Sequence, residues 1–188
     1  MTEVPRGEPP ALRIARFDTS CHDRSGFACG QGAIDNFLKS SLSDQIRAGM
    51  VAAYAASAPN DPAVLGFYTL GALAVRADHG PRAWPPARVS DVPAIYLRAV
   101  AVDEGWQGRG IGTALVINAM RRCVSISVEM AAAAIVLDVL QDAHFARRWA
   151  FYEGLGFRPL GDPDTPTRVF IPMADVRASL AAGSVPPT

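Results

Sequence analysis

Four glycines, at 105, 108, 110 and 112, crowd the stretch "VDEGWQGRGIGTAL", where an apolar run ends and a helical pattern begins. Bare backbone there has a chemical use. Glycine admits φ > 0 and lets a ligand approach the main chain, while the free amides and dipole of a following helix favour negative charge. A pyrophosphate is the natural guest. Spacing excludes two familiar phosphate loops. The dinucleotide fingerprint G-x-G-x-x-G fails because Thr113 or Leu115 stands where its third glycine belongs. The Walker pattern fails because Ile111 replaces the lysine that should follow Gly110. What remains is Gln107-Gly108-Arg109-Gly110-Ile111-Gly112, a Q-x-x-G-x-G run between a strand and a helix. A bulky β-branched residue at Gly110 or Gly112 is expected to clash with both the turn and its ligand.

Other chemistry-bearing residues are scattered. Glu104, Asp138, His22, His79 and His144 could each accept a proton, and the sequence does not rank them. Cys21, His22 and Cys29 lack a fourth ligand at zinc-motif spacing, so no metal is expected. Neither Cys21 nor Cys29 sits in a nucleophile turn. Phe151 and Tyr152 are neighbours in a helical pattern and cannot share one face.

The elements that must position these groups follow from periodicity. Ile14 to Phe17 reads as a short strand, and Ile34, Phe37, Leu38, Leu42 and Ile46 recur at helical spacing up to Gly49. "MVAAYAAS" and "AVLGFYTLGALAV" flank the turn-like "APNDP" and read as an antiparallel hairpin. A proline-rich surface loop follows, carrying Arg76, Arg82 and Arg88. Then come a strand ending in Leu97 to Val102, the helix after the glycines, the strand "AAIVLDVL", a helix around "ARRWAFYEGLG" and a strand near "TRVFIPM". The order predicts an α/β (α+β) fold with a mixed, mostly antiparallel sheet flanked by helices. One domain over 13–175 is expected, between a flexible N-terminal tail over 1–12 and a C-terminal tail over 176–188.

Composition narrows the class. Of 188 residues 49% are hydrophobic, which excludes wholesale disorder, and 18 basic residues balance 18 acidic ones, so global charge announces neither nucleic acid nor membrane. The odd cysteine count and the absence of a leader-like N-terminus point to a reduced, cytoplasmic setting. The apolar runs are broken by Arg98 and Asp138, well short of the about 18 residues a membrane span needs.

"VDEGWQGRGIGTAL" resembles the acetyl-coenzyme-A motif of the GNAT superfamily of N-acetyltransferases, R/Q-x-x-G-x-G/A, and "AFYEGLGF" resembles that family's later helix and strand. The resemblance implies a GNAT-like sheet with a splayed strand pair at the cofactor site. It implies acetyl-CoA as cosubstrate, with main-chain groups of Val100, Ala101 and Val102 holding the pantetheine arm. The pyrophosphate would rest on Gln107, Gly108, Arg109, Gly110, Ile111, Gly112 and Thr113. The amine would attack the thioester directly, and Tyr152 would protonate the departing thiolate.

A narrower likeness runs from Phe27 to Phe157. "FACGQGAIDNFLKSSLSDQ", "VLGFYTL" and "VPAIYLRAVAVD" are similar to the acetyltransferase toxins of bacterial toxin-antitoxin pairs. That branch implies the α-amine of aminoacyl-tRNA as acceptor and an antitoxin as partner; the sequence leaves the oligomeric state open, a homodimer included. Its strand arginine falls at Ala99 here, with Arg98 one place earlier and on the opposite face. RNA contacts would come from Arg76, Arg82, Arg88, Arg147 and Arg148. Two other readings stay open: an acetyltransferase acting on a small-molecule or peptide amine, and a non-catalytic acyl-CoA-binding module.

Overall fold

A computed structural model describes residues 11–80, 89–162 and 164–183. Seven strands form one sheet: β1 (Arg13–Arg16), β2 (Ala52–Ser57), β3 (Gly66–Arg76), β4 (Asp91–Val102), β5 (Ala134–Asp138), β6 (Arg158–Pro159) and β7 (Arg168–Pro172). Their hydrogen-bonded order is β1-β2-β3-β4-β5-β7-β6. β1 is antiparallel to β2, and β7 is antiparallel to both β5 and β6. β4 and β5 are parallel, in register over Ala94↔Ala134 to Tyr96↔Val136. That register is paired as far as Tyr96, while β4 itself runs on to Val102. The helices are α1 (Gly32–Asn36), α2 (Leu42–Arg47), α3 (Ile111–Glu129), α4 (Phe145–Gly154) and α5 (Met173–Ala181).

Contacts divide the chain into two compact units. The first takes the described residues up to Thr69 together with Ala99–Asn118. Its core gathers Phe17, Phe27, Leu38, Leu42, Val51, Val64, Phe67 and Ala101, with the Phe27 and Phe67 rings edge to face at 5.6 Å. The apolar stripe read from Ile34 to Ile46 supplies the helical side of that core. The second unit takes Leu70–Arg98 and the described residues from Ala119 onward. Val75, Ala94, Ala134, Val136, Leu160 and Phe170 form its core. Together these side chains remove apolar surface from water at about 25 cal/mol per Å², the term that holds both units folded.

Three details depart from the sequence reading. The helix expected from Ile34 to Ile46 is interrupted by a π-helical turn over Phe37–Ser41, in which Leu42 N–H donates to the carbonyl of Phe37, five residues back. β6 has two residues, too few for any period to register. The stretch from Val176 to Ala181, expected as C-terminal tail, continues α5, because Met173 and Val176 lie one turn apart and are both buried. Arg82 and Arg88 lie outside the described residues, as does most of the expected N-terminal tail. α3 is long and apolar enough to cross a bilayer by composition alone, yet Leu115, Val116, Ile117, Ala119, Met120 and Cys123 are buried within the fold. It is a core helix.

Candidate active site

β4 delivers the chain to the glycine turn. Leu97 and Ala101 are buried, Val100 and Val102 half-buried, and Arg98 exposed. After Asp103 a 3₁₀ turn over Glu104–Trp106 leads to Gln107, and α3 begins at Ile111. Gly108 and Gly110 take φ of 75° and 81°, the left-handed region that glycine enters without a Cβ penalty. A Cβ on either would meet nothing within 4 Å, so backbone conformation, not space, requires glycine there. Gly112 differs. Its φ is ordinary, and an added Cβ would make only an ordinary contact with Val102 Cγ2 at 3.8 Å. The expected steric clash with the turn is therefore found at neither glycine: at Gly110 the conflict is one of backbone conformation, and Gly112 sits inside the helix.

Ala114 N–H donates to Gly110 O at 3.0 Å, the first bond of α3. The amides of Ile111, Gly112 and Thr113 then have no intrahelical acceptor, and the helix has no acid in its first turn. The Arg109 guanidinium lies 4.9 Å from the centre of the Trp106 ring. Open amides, a positive helix end and a cation on the turn make this a place for a diphosphate.

The turn is braced by residues 28–30, from the segment that carries the likeness to the toxin branch. The Asp103 carboxylate accepts from Ala28 N–H and from Gly105 N–H, each at 3.0 Å, and its own N–H donates to Leu65 O. Glu104 N–H donates to Ala28 O at 2.8 Å. Gln107 Nε2 donates to Cys29 O at 3.2 Å and to Val102 O at 3.0 Å, so its amide group serves the protein's own carbonyls. Gly30, with φ of 82°, leaves room for Glu104 Oε1, which a Cβ would meet at 2.7 Å. Asp103 went unassigned in sequence. Its one local signal is the Asx turn to Gly105.

Tyr152 stands in α4, half-buried, with the Phe151 and Phe157 rings edge-on at 5.1 and 5.7 Å. Burial pushes its hydroxyl up to about 12, with Arg148 opposing. The phenol is therefore protonated throughout the neutral range.

The titratable candidates separate by environment. Asp138 is held by Arg168, Nε at 2.7 Å and Nη2 at 2.9 Å, and by the Tyr96 hydroxyl at 2.8 Å. Burial opposes its ionisation, but the bonds from Arg168 and Tyr96 outweigh it and hold the carboxyl below its ordinary range. Both oxygens are engaged, which removes it as a base. His79 lies 3.5 Å from Asp162, itself paired with Arg168. His22 is buried, with Nδ1 3.1 Å from Asp18 main-chain atoms, and stacks on Phe17. His144 precedes α4 and is exposed. Glu104 alone of the five belongs to the glycine turn. Burial and Asp35 push the Cys29 thiol up to about 12, which removes it as a nucleophile. Among the described residues no group of three metal-ligating side chains is gathered. Of the arginines, Arg76 is paired with Asp78 and Arg148 with Asp142.

A strand, a glycine turn with free amides and a core helix make a site suited to a phosphate-bearing ligand, and comparison with known proteins gives the class, an N-acetyltransferase. The family model of the acetyltransferase (GNAT) domain matches residues 47–159, and the chain belongs to that family. It is 29% identical over 170 residues to a probable toxin TacT of Sinorhizobium fredii, covering 88% of this chain and 93% of that protein. A tRNA-acetylating toxin of Mycobacterium tuberculosis is 31% identical over 157 residues, covering 83% and 89%. Among solved structures, AtaT complexed with acetyl-methionyl-tRNAfMet superposes with a TM-score of 0.80 at 26% identity, covering 90% of this chain and 99% of that one. AtaTR bound with acetyl-CoA gives 0.74 at 26% identity, covering 90% and 98%. The likeness to the toxin branch read from Phe27 to Phe157 is borne out.

Proposed function

We propose that this N-acetyltransferase moves an acetyl group from acetyl-CoA to the α-amine of aminoacyl-tRNA, as the toxin of a toxin-antitoxin pair. The observation that carries the reading is the 31% identity, over most of both chains, to a protein named for acetylating tRNA. The glycine turn fits the cosubstrate. Space beside Gly108 and Gly110, open amides on α3 and an acid-free first turn suit a diphosphate. The amides from Gln107 through Thr113 would hold it, and main-chain groups of Val100, Ala101 and Val102 would hold the pantetheine arm. Acetyl-CoA supplies an acyl group activated as a thioester. Tyr152 Oη, protonated at neutral pH, would give its proton to the departing thiolate.

The acceptor chemistry is apt. An α-amine next to an ester has a lower pKa than an alkyl ammonium, so more of it is neutral and nucleophilic near pH 7. The reading places the chain in the cytoplasm, where charged tRNA and an antitoxin partner would meet it. Neutral net charge, with Arg76 and Arg148 in ion pairs, favours a second reading in which the acceptor is a small or peptide amine. Induced expression decides between them in cells. Growth and translation should stop with the wild type and continue with Tyr152→Phe; normal growth with a folded, abundant wild type would contradict the toxin reading.

A further inference from the structure

In the same unit as the glycine turn, but with none of its residues in the lining, the loop after β1 and the π-helical turn line an open depression of about 630 Å³. We propose that it holds a phosphodiester of the acceptor RNA, an inference that rests on the aminoacyl-tRNA reading above.

Two cations line it, Arg24 and Lys39, and neither is in an ion pair among the described residues. Lys39 is the only lysine in a sequence that otherwise uses arginine for positive charge. Its place is built. Lys39 stands on the Phe37–Ser41 π turn, a rare irregularity that shifts register within a helix and recurs at functional sites. The neighbouring carbonyl of Leu38 accepts from Arg24 Nη1 at 2.7 Å, and the Arg24 guanidinium lies 5.5 Å from the Phe17 ring centre. Arg24 is thereby immobilised with other N–H groups to spare, so binding an anion costs it little further rotamer entropy. Asp23 is the opposing charge on the lining, and one of its oxygens is taken up by Ser25 N–H at 2.9 Å. Two cations then face one partly satisfied carboxylate, with the Thr19 hydroxyl beside them.

The shape favours a polymer. A small ligand is usually held by a pocket that buries most of its surface, whereas an open basin lets a backbone enter and leave. A chain of zero net charge has no general attraction for RNA, so affinity must come from local cations of this kind.

The test measures tRNA binding by the full chain with acetyl-CoA present, across a KCl series, for wild type, Lys39→Gln, Lys39→Glu and Lys39→Arg. Lys39→Gln should weaken binding about 3- to 10-fold and flatten the slope of log K against log salt by about 1. Lys39→Glu should lose more than about tenfold, and Lys39→Arg should restore binding, all with unchanged acetyl-CoA affinity. A Lys39→Glu protein that binds tRNA like the wild type, with the same salt slope, overturns the site. So does a wild type that binds no tRNA. A parallel titration with inorganic phosphate separates the sources: phosphate binding lost in Lys39→Glu while tRNA binding persists would make this a small-anion site and overturn the RNA assignment. The acceptor reading fails separately. If tRNA binds through Lys39 yet only small amines are acetylated, the site stands; if charged tRNA is acetylated equally by wild type and Lys39→Glu, the acceptor stands and the site falls.

Discussion

Gly110 and Gly112 carry the same proposed role through different physics, so substituting each separates ligand binding from folding. At Gly110, φ of 81° forces a side chain into the left-handed region, which costs about 1–2 kcal/mol. For a chain of 188 residues that is a melting temperature lower by about 2–8 °C. At Gly112 the backbone is helical and an added Cβ meets Val102 Cγ2 at an ordinary 3.8 Å, so Gly112→Ala should leave stability unchanged or raise it by up to about 1 kcal/mol through helix propensity. Acetyl-CoA affinity should fall in both. A side chain over the amides removes at least one charge-assisted hydrogen bond, worth about 1.5–3 kcal/mol, or about 10- to 100-fold in Kd. Thermal unfolding and isothermal calorimetry on Gly110→Ala, Gly112→Ala and Gly112→Val give both quantities. A folded Gly112→Val with unaltered affinity would refute the assignment of these amides to the pyrophosphate.

Tyr152→Phe should keep the fold and acetyl-CoA affinity and lower kcat by about 10²-fold or more; wild-type turnover in that variant would return the residue to packing. Asp103→Asn should raise the Kd for acetyl-CoA about tenfold and cost about 1–2 kcal/mol of stability, because the Asn side chain offers one uncharged acceptor to the amides of Ala28 and Gly105 and leaves the other facing an NH2 group; calorimetry and melting check both. Asp138, held below its ordinary range, contributes stability that is present above the usual carboxylate pKa and lost as pH falls through its folded value, so acid melting should shift in Arg168→Ala. That variant should lose about 3 kcal/mol at pH 7, the low end for breaking a buried pair because both groups keep some exposure. At the other extreme, burial raises Cys123 from 9.0 to about 12, so the stability it contributes is full below pH 9 and lost as pH rises towards 12; Cys123→Ala should flatten that alkaline decline in melting temperature.

The glycine turn, the strand before it, the helix after it and the helix carrying Tyr152 were legible because each is a local pattern: a fixed spacing, an apolar run, a 3.6-residue period. The brace was not. It joins Ala28 and Cys29 to Asp103 and Gln107, 75 and 78 positions away, largely through backbone amides and carbonyls whose presence no residue type reports. The π turn was hidden for a similar reason, since the stripe from Ile34 to Ile46 fits a helix whether or not one turn is widened. Beyond Asp175 the sequence runs into the tail-like "AAGSVPPT", and it is the packing of Met173 and Val176 that selects the helix. Asp138 looked like one candidate base among five until Arg168 and Tyr96, 30 and 42 positions away, closed on it.

The central claim is the acceptor. Purified protein incubated with labelled acetyl-CoA, charged tRNA and a panel of polyamines, amino acids and peptides should place label on the α-amine of the aminoacyl-tRNA, with transfer weakening as salt rises. Label on members of the panel, with none on charged tRNA, would contradict it.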